Sequence, residues 1–368
     1  MTTELIVVGG FLGAGKTTLL QRAAEIIRSG GKRVGIVTND QAANLVDTLI
    51  LDRCPDAGIR EVSGGCFCCH FPDLTAALAE LTAGHAPDVV LCEPVGSCTD
   101  VSATVLQPLK KLHAEQYRLA PFTVLLDPRR AVEALENGPA ATLPDHVLYI
   151  FRKQIEEADV LVINKADETP AEVVERCRAL LAQFVPHTPM MTMSALTGMG
   201  VGEWLAGLAE PGGSGGRIAA VDYDLYADGE AALGWLNAAA TLAPSSPVNW
   251  REFAECLLAA FRERLQSLSA EIAHVKLRLT VGADALTANL TGNRATPSIR
   301  GALDPGLSAA QLVFNARVHV APDQLRAVFD ESLSQASQQH GTTAAIDQLR
   351  AFAPARPEPT HRFAQVVA

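Results

Sequence analysis

The sequence predicts an α/β fold, a mostly parallel sheet covered by helices on both faces, followed by a smaller α+β carboxyl-terminal domain. Three observations carry this. Short β-rich apolar runs alternate with helical patterns through the first two hundred residues. Those runs are apolar on both faces, as strands between two helical layers must be. Then Pro211-Gly212-Gly213-Ser214-Gly215-Gly216 interrupts the pattern, and the chain beyond it is mostly β.

The first strand is Leu5-Ile6-Val7-Val8, and helical spacing from Leu19 to Arg28 comes after it. Arg33 to Thr38, Ile59 to Val62, Asp88 to Glu93, Phe122 to Asp127, Asp159 to Asn164 and Met190 to Ser194 read as further strands. Asp73 to Ala83, Leu143 to Ala158 and Ala171 to Phe184 read as the helices between them. Residues 1–210 thus form one domain, 211–217 a linker, 218–352 the α+β domain and 353–368, with three prolines, a flexible tail. Within the second domain the pattern predicts strands at Ile218 to Leu225, Ala231 to Leu242, His274 to Val281, Ala285 to Leu290 and Leu312 to Val320. Helices are expected at Asn249 to Leu268 and Pro322 to Gln335, the latter opened by a proline in its first turn.

Composition narrows the function. Of 368 residues 48% are hydrophobic and 19% charged, so the chain can bury two cores. A formal charge of -11 and only 5% aromatics, with no basic cluster, argue against a nucleic-acid partner. Leu5 to Val8 is too short to span a bilayer and lacks a cationic flank, which predicts no membrane anchor and no signal peptide. Eight cysteines, three of them within four positions, suit thiolates in a reducing cytoplasm better than a disulfide framework.

Gly10-Phe11-Leu12-Gly13-Ala14-Gly15-Lys16-Thr17-Thr18 sits between the first strand and the first helix. Glycines at this spacing let backbone N–H groups wrap a phosphate chain, and the helix N-terminus adds its dipole. Lys16 is expected to reach the β- and γ-phosphates and Thr17 to hold Mg²⁺. The first domain is therefore expected to be a P-loop NTPase. Asn164-Lys165-Ala166-Asp167 ends a later strand of the same sheet. The Asp167 carboxylate can accept both the N1 and N2 protons of guanine, which adenine does not offer, so GTP is the expected nucleotide; Asn164 braces the loop and the Lys165 stem lies over the base. Ser194-Ala195, ending the next strand, either contacts the base edge or is an ordinary polar strand terminus.

Ser63-Gly64-Gly65-Cys66-Phe67-Cys68-Cys69-His70 comes directly after the short third strand. Three thiols and an imidazole in five residues are soft ligands for Zn²⁺, Cu⁺ or Co²⁺, and the glycines let the chain turn the sulfurs inward. The alternative is a buried structural cysteine patch. His70 is either a fourth ligand or a solvent-facing side chain.

In this order, a phosphate loop, a Cys-x-Cys-Cys loop and an Asn-Lys-x-Asp box resemble the CobW family of metal-handling P-loop GTPases. The resemblance covers the first two hundred residues through Gly10 to Thr18, Gly65 to Cys69 with Asp73-Leu74, Glu93 with Gly96, and Asn164 to Asp167. More faintly, Leu312 to Asn315 with Leu325-Arg326 is similar to the family's carboxyl-terminal domain. It implies GTP hydrolysis with Mg²⁺ and delivery of Zn²⁺ or Co²⁺ to a client metalloprotein or the cobalamin pathway, with Asp40 or Glu93 holding the metal's waters or orienting the attacking one. Two departures stand out. Asp40 replaces the family's longer Glu after the second strand, and Cys98 adds a soft ligand to Glu93-Pro94-Val95-Gly96-Ser97-Cys98. No arginine in the motifs is an evident finger, so a homodimer or a client is expected to supply one. Rival expectations are a GTP-switched module that gates a metalloenzyme without delivering metal, and a P-loop small-molecule kinase, against which Asp167 argues.

Overall fold

The computed structural model describes residues 2–40, 58–136, 141–209 and 213–367, with the side chain of Asp40 outside that description. It divides into two units, one taking residues up to Gly229 together with the stretch from Arg356 onward, the other Glu230–Ala355.

In the first unit β1 (Thr3–Gly9), α1 (Lys16–Ser29), β2 (Val34–Asp40), β3 (Gly58–Ser63), α2 (Phe71–His85) and β4 (Val89–Glu93) come first. A π-helical turn at Ser102–Leu106 runs into α3 (Gln107–Leu112), followed by β5 (Tyr117–Leu119), β6 (Thr123–Leu126), α4 (Pro128–Glu136) and α5 (Asp145–Glu157). Then come β7 (Val160–Ile163), α6 (Ala171–Phe184), β8 (Met190–Thr192), α7 (Val201–Leu208) and α8 (Tyr223–Ala231). The strands form one sheet in the order β3-β2-β4-β1-β6-β7-β8, with β5 also beside β1. Every pairing among them is parallel. β4 and β6 are buried along their whole length, which their unbroken apolar runs foretell. Leu19 and Leu20 of α1 are fully buried in a cluster with Val8, Val201 and Trp204, each leucine contributing about 1.5–3 kcal/mol.

The register decides what lies next to what. Thr38 of β2 pairs with Glu93 of β4, and Asp40 with Ser63 of β3, so the cysteine loop leaves the sheet beside the end of β2. Leu126 pairs with Ile163, which sets Asp127 beside Asn164. All these positions are at the carboxyl ends of parallel strands, where such sheets bind ligands.

The second unit is a six-stranded antiparallel sheet in the order β12-β11-β10-β13-β9-β14, built from β9 (Gly234–Pro244), β10 (Glu271–Val281), β11 (Asp284–Leu290), β12 (Ser298–Gly301), β13 (Ala310–His319) and β14 (Thr342–Phe352). Leu236, Ala238, Ala240 and Leu242 alternate along β9 and share a core with α9 (Trp250–Ser267) and α10 (Pro322–Gln339). Asn249 caps α9 by accepting from the Arg251 and Glu252 N–H groups.

Three expectations differ from the structure. Ile218 to Leu225 is not a strand: Asp222 Oδ1 accepts from the N–H groups of Asp224 and Leu225 and starts α8 there. The units divide between Gly229 and Glu230, past the glycine run, because Asp159 accepts from Gly215 N and Gly216 N and ties that run to the first unit. Residues after Arg356 are not a loose tail but an extended strap on the first unit: Phe363 N donates to Ala103 O at 3.0 Å, and Arg362 Nε to Asp100 Oδ2 at 2.7 Å. Among the described residues no helix is long and apolar enough to cross a membrane.

Candidate nucleotide and metal sites

The phosphate loop is shaped as its glycines require. Gly10 has φ +131°, and a Cβ there would lie 2.3 Å from Leu125 O; Gly15 has φ +99°, and its Cβ would lie 2.5 Å from Asn164 Nδ2. α1 begins at Lys16 with no side-chain cap and no acidic residue in its first turn, the arrangement that suits an anion at a helix N-terminus. Lys16 is buried. Its Nζ donates to Gly10 O at 2.8 Å and lies 4.0 Å from Glu93 Oε1. Thr17 Oγ1 donates to the same Glu93 oxygen at 3.1 Å, so the threonine and the carboxylate expected to serve the cation are already together. Gly96, three residues on, is pressed close: a Cβ there would stand 3.1 Å from Lys16 Nζ.

Asn164 joins three segments. Its Nδ2 donates to Ala14 O at 2.8 Å, and its Oδ1 accepts from Ala195 N at 2.9 Å. Ala195 is thereby placed by its backbone, while Ser194 Oγ accepts from Thr197 N within its own turn. Lys165 has φ +61° and its Nζ donates to Asp127 Oδ2 at 2.8 Å. Burial alone would raise the Asp127 pKa, but the Lys165 ammonium, with the Arg129 N–H, holds that carboxyl below its usual range. Asp167 is exposed one turn further on.

The cysteine loop is braced from β2. Asn39 Nδ2 donates to Val62 O at 2.9 Å and Gly65 O at 2.7 Å, and Asn39 Oδ1 accepts from Phe67 N at 2.8 Å. The Cys66, Cys68 and Cys69 sulfurs lie within 4.8 Å of one another, Cys66 and Cys68 buried and Cys69 partly so. The Cys68 thiol is held well above the ordinary range, first by hydrogen bonding with Cys66, then by Cys69, Cys98 and burial; Cys69 is pushed up to about 11, chiefly by Cys66. Shared protons are the cause, and a soft divalent cation replacing them would remove it. The strap adds donors: Glu358 N lies 3.2 Å from Cys69 Sγ, and Thr360 N and Oγ1 donate to Cys68 O and Cys69 O. A backbone N–H on a sulfur stabilises its thiolate, so the donor set fits a thiophilic ion. His70 is not gathered with the thiols; its Nδ1 lies 2.9 Å from Asp73 Oδ2 on the exposed side. Cys98 Sγ lies 3.9 Å from Cys68 Sγ.

Sequence reasoning gave no individual role to Asn39 and none to Asp127. Both are polar residues closing a buried strand, and that position was the available signal. Asp40's side chain and the following segment 41–57 lie outside the described residues.

The family model for the CobW/HypB/UreG nucleotide-binding domain matches residues 4–192. The chain belongs to the CobW/HypB/UreG family. It is 26% identical over 209 residues to a zinc chaperone CobW of Pseudomonas aeruginosa, covering 49% of this chain and 53% of that one. To the zinc chaperone YeiR of Escherichia coli it is 31% identical over 180 residues, covering 46% and 48%. The chain thus spans about half the length of these curated relatives. Among solved structures it is similar to Zn(II)-bound YjiA GTPase from E. coli, at 16% identity, 90% and 99% coverage and a TM-score of 0.39. The hydrogenase maturation factor HypB from Archaeoglobus fulgidus compares at 21% identity, 56% and 88% coverage and a TM-score of 0.40.

Proposed function

We propose that this chain is a GTP-hydrolysing metal chaperone that takes Zn²⁺, or Co²⁺, on Cys66, Cys68 and Cys69 and passes it to a client metalloprotein. One observation carries the reading. Asn39, at the end of a strand paired with the Glu93 strand, grips the cysteine loop on both sides of Cys66. Nucleotide-binding and thiol groups therefore share one short stretch of sheet edge. The zinc-chaperone names of the relatives support Zn²⁺ as cargo, as does the preference of thiolates for soft cations.

Thr17 and Glu93 are the residues that would hold Mg²⁺, which when bound neutralises charge on the transferred phosphoryl group. Lys16 moves its ammonium from Gly10 O to the β- and γ-phosphates and stabilises the charge that develops there. Asp167 accepts the guanine N1 and N2 protons, Asn164 fixes the loop that carries it, and the ion pair with Asp127 fixes Lys165 beside the base. Asp40 or Glu93 positions the attacking water. Three thiolates leave a fourth tetrahedral position open to a client's ligand, and a site of that kind favours transfer over permanent retention.

The test is a Zn²⁺ titration against a competing chelator with a non-hydrolysable GTP analogue, with GDP and without nucleotide. One stoichiometric ion is expected, lost when Cys66, Cys68 and Cys69 are all serine, with affinity differing between the GTP and GDP states. Equal affinity in all three states would rule out coupling and leave a metal-binding GTPase. Asn39→Ala removes three hydrogen bonds, two of them buried and one partly so, at a cost of about 2–4 kcal/mol in urea unfolding. It is also expected to weaken Zn²⁺ binding about 10- to 100-fold, as loss of a residue supporting the ligands does. Unchanged affinity in a stably folded Asn39→Ala protein would show that the asparagine serves β2 alone.

A further inference from the structure

We infer that Cys98 is the fourth sulfur ligand of the metal site, closing Cys66, Cys68 and Cys69 into a four-thiolate tetrahedron when the chaperone holds its cargo. This rests on the proposal that the three-cysteine loop binds metal.

The argument is geometric. A Zn–S bond of about 2.3 Å places the sulfurs of a tetrahedral site about 3.8 Å apart along each edge. Cys68 to Cys69 is already 3.8 Å and Cys68 to Cys98 is 3.9 Å. Cys66 stands 3.3 Å from Cys69 and 2.7 Å from Cys68, so it must open by about 0.5 and 1 Å to admit the ion. Cys68 is the sulfur that Cys98 already meets at tetrahedral spacing; Cys98 stands outside the group of three sulfurs that lie within 4.8 Å of one another, so it must close on Cys66 or Cys69 as the ion enters. Cys98 is buried, at 3% exposure, and its backbone is fixed: its N donates to Val95 O at 2.9 Å and its O accepts from Gln154 Nε2 at 2.8 Å. Gln154 Nε2 also donates to Gly96 O, and the buried Glu157 holds Ser102 N at 2.9 Å, so the segment is pinned on either side of the thiol. A loop made only to turn would not need a buried thiol pinned in this way against another.

What makes the ligand informative is where its segment begins. Glu93 accepts from Thr17, Gly96 stands against Lys16, and Cys98 comes two residues later. A shift of this segment on loss of the γ-phosphate would withdraw one sulfur and leave the three-thiolate, open site suited to handover. The four-sulfur site is the holding state.

Zinc K-edge absorption on the full-length protein loaded with one equivalent of Zn²⁺ and saturated with a non-hydrolysable GTP analogue, which keeps the γ-phosphate in place, reads the ligand count without mutation. Four sulfurs at about 2.3 Å are expected. Three sulfurs and a nitrogen or oxygen would overturn the inference while leaving the three-cysteine site intact, and failure to bind Zn²⁺ would overturn both. Co²⁺ substitution gives an independent readout. Cys98→Ser is expected to lower the thiolate-to-cobalt charge-transfer absorbance by about a quarter, one sulfur of four, while GTP binding stays measurable as a check on folding. An unchanged spectrum in Cys98→Ser would overturn the inference.

Discussion

Asparagine at position 167 is expected to weaken GTP binding about 10²–10⁴-fold, because two charge-assisted hydrogen bonds worth about 1.5–3 kcal/mol each are lost or inverted. On the proposed reading the carboxylate accepts from both guanine N1–H and N2–H. An amide at the same place offers one acceptor and one donor, and its NH₂ meets the guanine amino group head on. Xanthine carries an oxygen where guanine carries that amino group, so Asp167→Asn is expected to turn preference toward xanthosine triphosphate. The structure gives the substitution room to act alone: Asp167 is exposed, while the residues that shape its loop, Asn164 and Lys165, are held by Ala14, Ala195 and Asp127. Displacement of a fluorescent guanine nucleotide by GTP, ATP and xanthosine triphosphate checks it. A variant that still prefers GTP over both competitors would remove Asp167 from base recognition and weaken the case against a kinase.

How much of this was readable beforehand depends on what kind of contact holds each part. The parallel sheet was legible because strands such as Val89–Glu93 and Val160–Ile163 are buried apolar runs, a signal that does not depend on their neighbours. The phosphate loop was legible because positive φ at Gly10, Gly13 and Gly15 demands glycine. β14 was not. Most of its residues face solvent, and it is a strand because β9 offers a backbone edge to pair with, from Thr342 beside Pro244 to Phe352 beside Trp235. The strap after Arg356 was misread for a related reason. Its prolines and polar residues have the composition of a loose end, but its N–H groups find partners at Cys68, Cys69 and Ala103, more than two hundred and fifty residues away in sequence. Asn39 and Asp127 escaped because a lone polar residue at a strand end reads as a boundary until the register shows what it faces. Cys98 was visible as a spare thiol; only the fold brings it to Cys68.

Lys16→Ala is expected to lower multiple-turnover phosphate release about 10²–10³-fold, the usual cost of removing one preorganised donor from a developing charge. The lysine is buried between Gly10 O and Glu93, so its ammonium is desolvated before nucleotide arrives and has little to reorganise when the γ-phosphate takes the place of the Gly10 carbonyl. Phosphate release measured with and without Zn²⁺, alongside thermal unfolding to show the fold retained, checks the effect. The same variant separates two ways in which nucleotide could govern the thiols. If GTP binding alone sets metal affinity, Lys16→Ala saturated with GTP responds like the parent protein with a non-hydrolysable analogue and stays in that state. If the parent releases Zn²⁺ to a chelator during turnover and the variant does not, the withdrawal of Glu93 and Gly96 after hydrolysis is what opens the sulfur site. Release at equal rates from both proteins would leave the short path from Glu93 to Cys98 without a part in handover.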